Sequence, residues 1–174
     1  MLWQIKIQIM LLNLVKIFRN IYFIIFIFIM IDLSKKTPDL KFFFSVDKDI
    51  TTISKITMGL EIIETFNGNI YSDSSLTAPI GRWLTTQTII NYDNNNSARS
   101  GILTFFLPEG SIDIINTRQI IKNKQDIYVS PSGTYPYKIV SGSDDFLLQE
   151  GFLVIIVDND TLIREVLVYF DKDD

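Results

Sequence analysis

From Thr37 onward the chain is a succession of short apolar runs separated by clusters of turn-forming residues. This pattern constrains the fold more than any other feature, because the runs have strand-like lengths and no long amphipathic helical pattern interrupts them. The predicted strands are residues 41–46, 56–66, 83–92, 101–107, 111–116, 119–122, 137–141, 151–157 and 162–170. Strands at this spacing with hairpin-length links predict an all-β fold, either an antiparallel barrel or a sandwich.

Turn-forming residues between the predicted strands are grouped at 67–69, 93–97, 108–110, 131–133 and 158–160. A further acidic stretch contains Asp144, Asp145 and Glu150. A calcium loop needs oxygen ligands at fixed spacing, and the sequence DDFLLQEG has apolar residues where those ligands should stand. We therefore predict a solvated turn there and no metal site.

The last predicted strand carries apolar side chains on both faces. Val166 and Val168 alternate with Leu167 and Tyr169, so both surfaces of the strand are partly apolar. In a barrel this pattern indicates a wall that is also covered on its outside or paired with another subunit. A homo-oligomer, a dimer or a trimer, is the corresponding expectation.

The residue types that are absent exclude several functions. The chain has no Cys and no His, which excludes disulfides and Cys- or His-ligated zinc or iron, and removes the commonest general base. Residues 1–36 carry a net charge of +4 and residues 37–174 a net charge of −8. Because an acidic body repels phosphate backbones, we predict no nucleic-acid partner, and we assign no cofactor and no catalytic residue.

The first 36 residues differ from the remainder and are treated as an apolar, basic N-terminal extension of a β-domain at 37–174. The uninterrupted apolar run at 21–31 is shorter than the roughly 18 residues of a spanning helix, although a marginal membrane span over residues 10–31 would tolerate Lys16 and Arg19. A signal peptide fits the length but lacks a small-residue cleavage site. An anchor or signal would make the protein membrane-associated or secreted, whereas a translation start at Met30 would leave it cytoplasmic.

Strand arginines and the many aromatic residues each have two interpretations. Arg82 and Arg164 could orient a carboxylate ligand, but a cross-strand salt bridge is the ordinary role of such residues. The aromatic side chains, Phe105 and Phe146 among them, are most simply core residues. They could instead line an apolar ligand cavity inside a barrel.

Four segments together resemble the allene oxide cyclase and dirigent superfamily in order and spacing. They are IYSDSSLTAPIGRW, GILTFFLPEGSIDI, YKIVSGSDDFLLQEGFLVII and REVLVYF. The resemblance implies a short barrel of about eight antiparallel strands, dimeric or trimeric, around an apolar cavity. It makes Gly142 and Gly151 the structural corner of the barrel, with Phe146 as its plug.

The same resemblance identifies positions that would face a ligand. If FFFSVDKD is the early strand that presents polar groups to the substrate in the plant cyclases, Ser45 and Asp47 stand at those positions here. With Arg82, Phe105, Tyr137 and Phe146 they form the predicted set of ligand-cavity residues. The family's cavity cysteine has no counterpart in this chain, so the resemblance implies the fold and not the cyclase activity.

Three functions remain open from the sequence. The first is a non-enzymatic barrel that binds an apolar small molecule or acts as a structural or interaction module. The second is a cyclase- or dirigent-type enzyme, in which Asp47, Tyr137 or Arg82 steers a lipophilic substrate in the cavity. The third is an interaction module tethered to a membrane by residues 10–31.

Overall fold

The computed structural model describes residues 36–59, 61–91, 97–122 and 128–171. The predicted N-terminal extension and its membrane span lie outside these residues. The strands are β1 (Leu40–Ser45), β2 (Thr51–Met58), β3 (Glu61–Tyr71), β4 (Pro79–Asn91), β5 (Ser97–Leu107), β6 (Gly110–Ile115), β7 (Arg118–Lys122), β8 (Tyr128–Val129), β9 (Gly133–Gly142), β10 (Gly151–Val157) and β11 (Ile163–Phe170). One 3-10 helix (Asp144–Phe146) is the only helix in this part of the chain.

Eight of the strands close into a barrel. Hydrogen bonding runs in the order β3, β1, β11, β10, β9, β6, β5 and β4, and β4 pairs again with β3, with every pairing antiparallel. The predicted eight-stranded antiparallel barrel is therefore confirmed. Strand β2 is additional and pairs with β3 outside the ring, while β7 continues beside β5 and pairs with β8.

The predicted strand pattern was wrong at several places, and a glycine explains two of them. Residues 56–66 are not one strand, because the chain turns at Gly59 (φ +61°). The strands on either side, β2 and β3, pair as a hairpin. Residues 67–69 are not a turn but part of β3. At Gly68 the missing side chain leaves room for the indole of Trp83, since a Cβ there would lie 2.7 Å from its Nε1.

Strand β9 also begins earlier than predicted and includes Pro136. Proline cannot donate a backbone hydrogen bond and is tolerated where a strand lacks a partner on one side. Pro136 pairs with Val154 of β10, whereas among the described residues β6 pairs with β9 only from Ile139 to Gly142. This one-sided segment therefore accommodates a residue that the sequence pattern treats as a strand breaker.

The barrel interior is filled by alternating side chains of the closed ring. Phe105 of β5 packs edge-on against Phe42 of β1 at 5.0 Å between ring centroids, and Phe44 lies 5.3 Å from Trp83. One end of this core is closed by Phe146, which stacks on Phe170 at 5.5 Å. Burial of these large side chains supplies the main driving force for the fold.

A smaller apolar cluster covers part of the outer wall. Phe43 points away from the barrel axis and packs with Tyr71 and Leu76, and all three side chains are buried. Leu76 belongs to the connection between β3 and β4, which folds back over the sheet. Part of the outward apolar character of the strands is thus satisfied within the chain.

The β3–β4 connection is ordered by Asp73, and this gives a first testable prediction. Its carboxylate accepts hydrogen bonds from Ser75 Oγ at 2.6 Å and from the Ala78 backbone N–H at 2.9 Å. The Ser75 bond, with those from the Ala78 and Thr77 backbone, lowers the pKa of Asp73 from 3.8 to about 2. A carboxyl whose folded pKa is lowered stabilises the fold above its unfolded pKa, and that contribution disappears as pH falls through the folded value.

We therefore expect Asp73→Ala to lower the melting temperature at neutral pH, and the difference from wild type to shrink between about pH 4 and about pH 2. Thermal unfolding followed by circular dichroism across this range measures the difference. A melting difference that stays constant down to pH 2 would show that the charge of Asp73 contributes nothing.

Candidate functional site

The inward faces of the strands change from apolar to polar along the barrel. On β5 the inward positions run from Phe105 through Leu103 to Arg99, and on β11 they run from Val168 to Arg164. The same two-residue alternation continues from β6 into β7 and brings Arg118 inward. Three guanidinium groups from separate strands therefore meet at the end of the barrel where β10 passes into β11; we call this the arginine end.

A cavity of about 50 Å³ lies between the aromatic core and the arginine end. Its lining joins aromatic and aliphatic side chains on one side to polar side chains on the other: Phe44, Val46, Phe66, Trp83, Thr85, Gln87, Arg99, Leu103, Asn116, Arg118, Ser130, Tyr137, Ile155, Val157 and Arg164. A buried water needs roughly 10–15 Å³ of such free volume, so the space fits a few waters or a ligand of a few atoms.

Arg118 is held by two tyrosine rings. Its guanidinium carbon lies 3.9 Å from the ring centroid of Tyr135 and 4.6 Å from that of Tyr137. Both phenols have their own acceptors, Pro131 O at 2.7 Å for Tyr135 and Asn116 Oδ1 at 3.1 Å for Tyr137. Because a guanidinium that stacks on rings keeps its N–H groups in its own plane, its donors stay available to a ligand.

The other two arginines differ in how fully they are bound. Arg164 is buried and donates to the backbone oxygens of Asp158 and Ile163 at 2.8 and 3.1 Å, and to the side chain of Asn159 at 3.1 Å. Arg99 donates from Nη2 to Ser130 Oγ at 2.7 Å, while its Nε has no partner. Arg164 thus stabilises the β10–β11 turn, whereas Arg99 keeps a free donor.

Among the described residues none of these arginines forms a close ion pair with a carboxylate, and Asp158 offsets part of the charge of Arg164 from a longer distance. The ion pairs found there join Lys41 to Glu165 and Lys55 to Glu64. Burial, and then the positive charges of Arg99 and Arg164, lower the pKa of Arg118 to about 9. Burial likewise lowers the pKa of Arg99 and of Arg164 to about 10 each. All three remain protonated at neutral pH, and among the described residues only Arg164 has its charge partly offset by a carboxylate, that of Asp158.

Four buried polar atoms have no hydrogen-bond partner among the described residues. They are Nε1 of Trp83, Oε1 of Gln87, and the Nε atoms of Arg99 and Arg118. All four side chains line the cavity. Buried polar atoms are satisfied in the great majority of cases, so a group of orphaned atoms around one cavity indicates a place for a ligand or ordered water.

The predicted ligand-cavity residues are dispersed in the structure. Of the six, Tyr137 lines the cavity. Ser45 is buried, but its hydroxyl accepts hydrogen bonds from the backbone of Asp47 and Lys48 at the end of β1. Asp47 and Arg82 are exposed, while Phe105 and Phe146 are core residues of the opposite half of the barrel. Their ligand roles stay predictions.

The salt bridges expected for the strand arginines are absent from the described part of the chain. Arg82 donates to Asn67 Oδ1 at 2.7 Å on the outer surface. Arg164 binds backbone oxygens and an amide, and the neighbouring Glu165 pairs with Lys41 instead. Strand alternation explains the difference, because it turns Arg164 inward and Glu165 outward.

The predicted corner borders a second, larger groove on the outside. Gly142 and Gly151 flank the 3-10 helix, and Gly142 passes so close to it that a Cβ would lie 2.6 Å from Phe146 O. The groove has a volume of about 460 Å³ and is lined by residues 138–142 and 147–150.

Within the described residues no group of His, Cys, Asp or Glu could hold a metal ion, and no helix is long and apolar enough to cross a membrane.

Sequence reasoning missed Arg99, Arg118 and Gln87. A signal was present, because Arg118 keeps the alternation of Ile112, Ile114 and Ile120. Each of the three is an even number of residues away from an inward apolar position: Arg99 from Leu103, Arg118 from Ile114 and Gln87 from Trp83. A charged residue that lies an even number of positions from the core residues of its strand points into the barrel. A search for such residues would have identified the site from the sequence.

Comparison with known proteins supports the fold alone. No protein-family model matches the chain, and no curated protein matches it. The structure is similar to that of a pyocyanin demethylase, with a TM-score of 0.52 and 12% sequence identity, over 76% of this chain and 98% of that one. The similarity supports the barrel fold, and the resemblance to allene oxide cyclases and dirigent proteins remains a prediction.

Proposed function

We propose that this protein is a binding barrel that holds a small molecule in the cavity at its arginine end without transforming it. The observation that carries the proposal is the set of four orphaned polar atoms around one interior cavity. Ligand sites commonly combine an apolar wall with a few polar groups that fix orientation. Here the wall is formed by Phe44, Phe66 and Trp83.

The size and lining of the cavity favour a ligand different from the apolar one that the sequence predicts. A drug-sized ligand occupies about 300–1,000 Å³, and the space here is about 50 Å³. The interior beyond it is filled by Phe42, Phe105 and their neighbours. The geometry therefore supports a compact ligand of few atoms, and because three of the four orphaned atoms are donors, this ligand mainly accepts hydrogen bonds.

The proposal is tested by native mass spectrometry of the purified full chain, followed by denaturing release of any bound compound. We expect a low-mass adduct that is lost from Leu103→Phe, because Leu103 lines the cavity and the larger ring fills it. The matched control is Ile102→Phe, whose side chain is exposed on the outer face and should leave the adduct in place.

A wild-type protein that carries no adduct, and that no compound in a panel of small polar molecules stabilises, would contradict the proposed function. So would an adduct that Leu103→Phe retains at the wild-type level, since the compound would then bind elsewhere. As a control, circular dichroism of both variants has to show that they fold.

An enzyme is the second candidate, favoured by similarity to a protein named a pyocyanin demethylase. Its sequence-based version needs a large cavity reached by Asp47, Arg82 and Tyr137. Only Tyr137 lines the cavity, while Asp47 and Arg82 are exposed, so the residues offer this version less support.

The expected homo-oligomer remains a prediction, supported by apolar side chains on the outer face of adjacent strands. Ile90 is 44% exposed, Ile102 54%, Phe106 45% and Ile115 55%, which is unusual for such residues. Native mass at several protein concentrations tests it.

The membrane-tethered module also remains a prediction, because residues 10–31 lie outside the described chain.

A further inference from the structure

We propose that the ligand of the cavity is a small oxyanion, a carboxylate or a phosphate-type group bound between the guanidinium groups of Arg99 and Arg118. This inference deepens the proposed binding function and rests on it. It concerns the charge of the ligand, which the size of the cavity leaves open.

The available donors are the first support. Arg99 and Arg118 each present a buried Nε that lacks an acceptor, and the buried indole N–H of Trp83, another residue of the cavity lining, is also without one. Carboxylate and phosphate oxygens are the acceptors that match guanidinium donors in geometry and charge. A neutral ligand with one acceptor would leave most of these donors unpaired.

The rigidity of the donors is the second support. Arg118 is fixed by the rings of Tyr135 and Tyr137, and Arg99 is tied to Ser130, a residue that is itself only 3% exposed. Ser130 is in turn held by Asn159, whose amide donates to its backbone oxygen at 2.9 Å. Donors held in this way need little reorganisation when an anion enters.

Charge balance is the third support. The guanidinium groups of Arg99, Arg118 and Arg164 are largely buried and repel one another, and among the described residues the Asp158 carboxylate offsets only the charge of Arg164. A buried charge is costly unless it is paired. Arg164 donates to neutral oxygens and is partly offset by Asp158, so Arg99 and Arg118 carry most of the unpaired charge at the cavity. An anion between Arg99 and Arg118 would supply the missing negative charge.

The test uses the full chain in a buffer free of carboxylate, phosphate and sulfate. Calorimetric titration compares inorganic phosphate, acetate, and acetamide, which has nearly the shape of acetate but no charge. We expect one or both anions to bind and to raise the melting temperature, while acetamide does neither. Binding by phosphate alone or acetate alone identifies which oxyanion the site accepts.

The variant for this test is Arg118→Met, with Arg82→Gln as the matched control. Loss of a charge-assisted donor pair should weaken anion binding by about 10- to 100-fold. Without anion, Arg118→Met should melt at the wild-type temperature or above it, because an unpaired buried charge is removed. Arg82→Gln removes the same charge from the outer surface and should leave anion affinity unchanged.

Two outcomes would overturn the inference. If acetamide or another neutral compound binds in the cavity while both anions fail, the protein binds a ligand but not an anion. If the anions bind equally well to Arg118→Met and to wild type, their site lies elsewhere. Failure of every compound, with no adduct in the purified protein, would instead remove the proposed function itself.

Discussion

Phe105→Ala is expected to lower the free energy of unfolding by about 3–5 kcal/mol, the range observed when a buried aromatic side chain is truncated in a core. Phe105 is 0% exposed and contacts Phe42 and Phe44 across the barrel. Pairing of β1 with β11 fixes the backbone of both partners, so only side-chain adjustment can reduce the cavity that the truncation leaves. Urea unfolding followed by circular dichroism measures the loss.

The adjacent residue provides the matched control. Phe106 lies on the opposite face of β5 and is 45% exposed, so Phe106→Ala should cost about 1 kcal/mol or less. The two variants differ only in which face of the strand they alter. Equal losses would contradict the register of β5 and with it the inward direction of Arg99, which shares the phase of Phe105.

Gly151→Ala has the second largest expected effect, a loss of about 2–5 kcal/mol that combines backbone strain with a steric clash. Gly151 begins β10 with φ +153°, a conformation that favours glycine. A Cβ at this position would lie 2.3 Å from the backbone oxygen of Tyr169 on β11. That oxygen belongs to the strand ladder, so relief requires the β10–β11 pairing to shift.

Gly133→Ala separates the two contributions. Gly133 has nearly the same backbone angle, φ +156°, but a Cβ there would meet only the ring of Tyr135 at 3.4 Å, an ordinary contact. Its alanine variant should therefore lose only the strain contribution, about 1–3 kcal/mol. If both variants lose the same stability in thermal or urea unfolding, the close approach at the corner contributes nothing.

Much of the fold could be predicted because the strands carry their own local signal. The apolar runs at 101–107 and 162–170 predict the C-terminal part of β5 and nearly all of β11, and the turn at 158–160 lies where the pattern predicts it. Local signals failed where a distant residue decides the conformation. Residues 67–69 have the composition of a turn, but Trp83 packs on Gly68 and keeps them in β3.

The candidate site was much harder to predict than the fold. The sequence-based candidates at Asp47 and Arg82 were chosen by residue type and resemblance, and both side chains are exposed. The arginine end combines Arg99, Arg118 and Arg164 from three strands that are distant in sequence. The alternation of side chains along each strand predicts that each arginine points inward. It does not predict that the three lie at the same end of the barrel, because that depends on how the strands pair.

The sequence by itself determined the class of the fold, because strand periodicity, turn chemistry and the absence of helical pattern act over a few neighbouring residues. It also determined which chemistries are excluded, since a chain without Cys and His has no such ligands anywhere. Only the tertiary structure decided the content of the barrel. Pairing of β4 with β3 closes the ring. That closure fills most of the interior with aromatic and branched aliphatic side chains and brings three arginines to the remaining space.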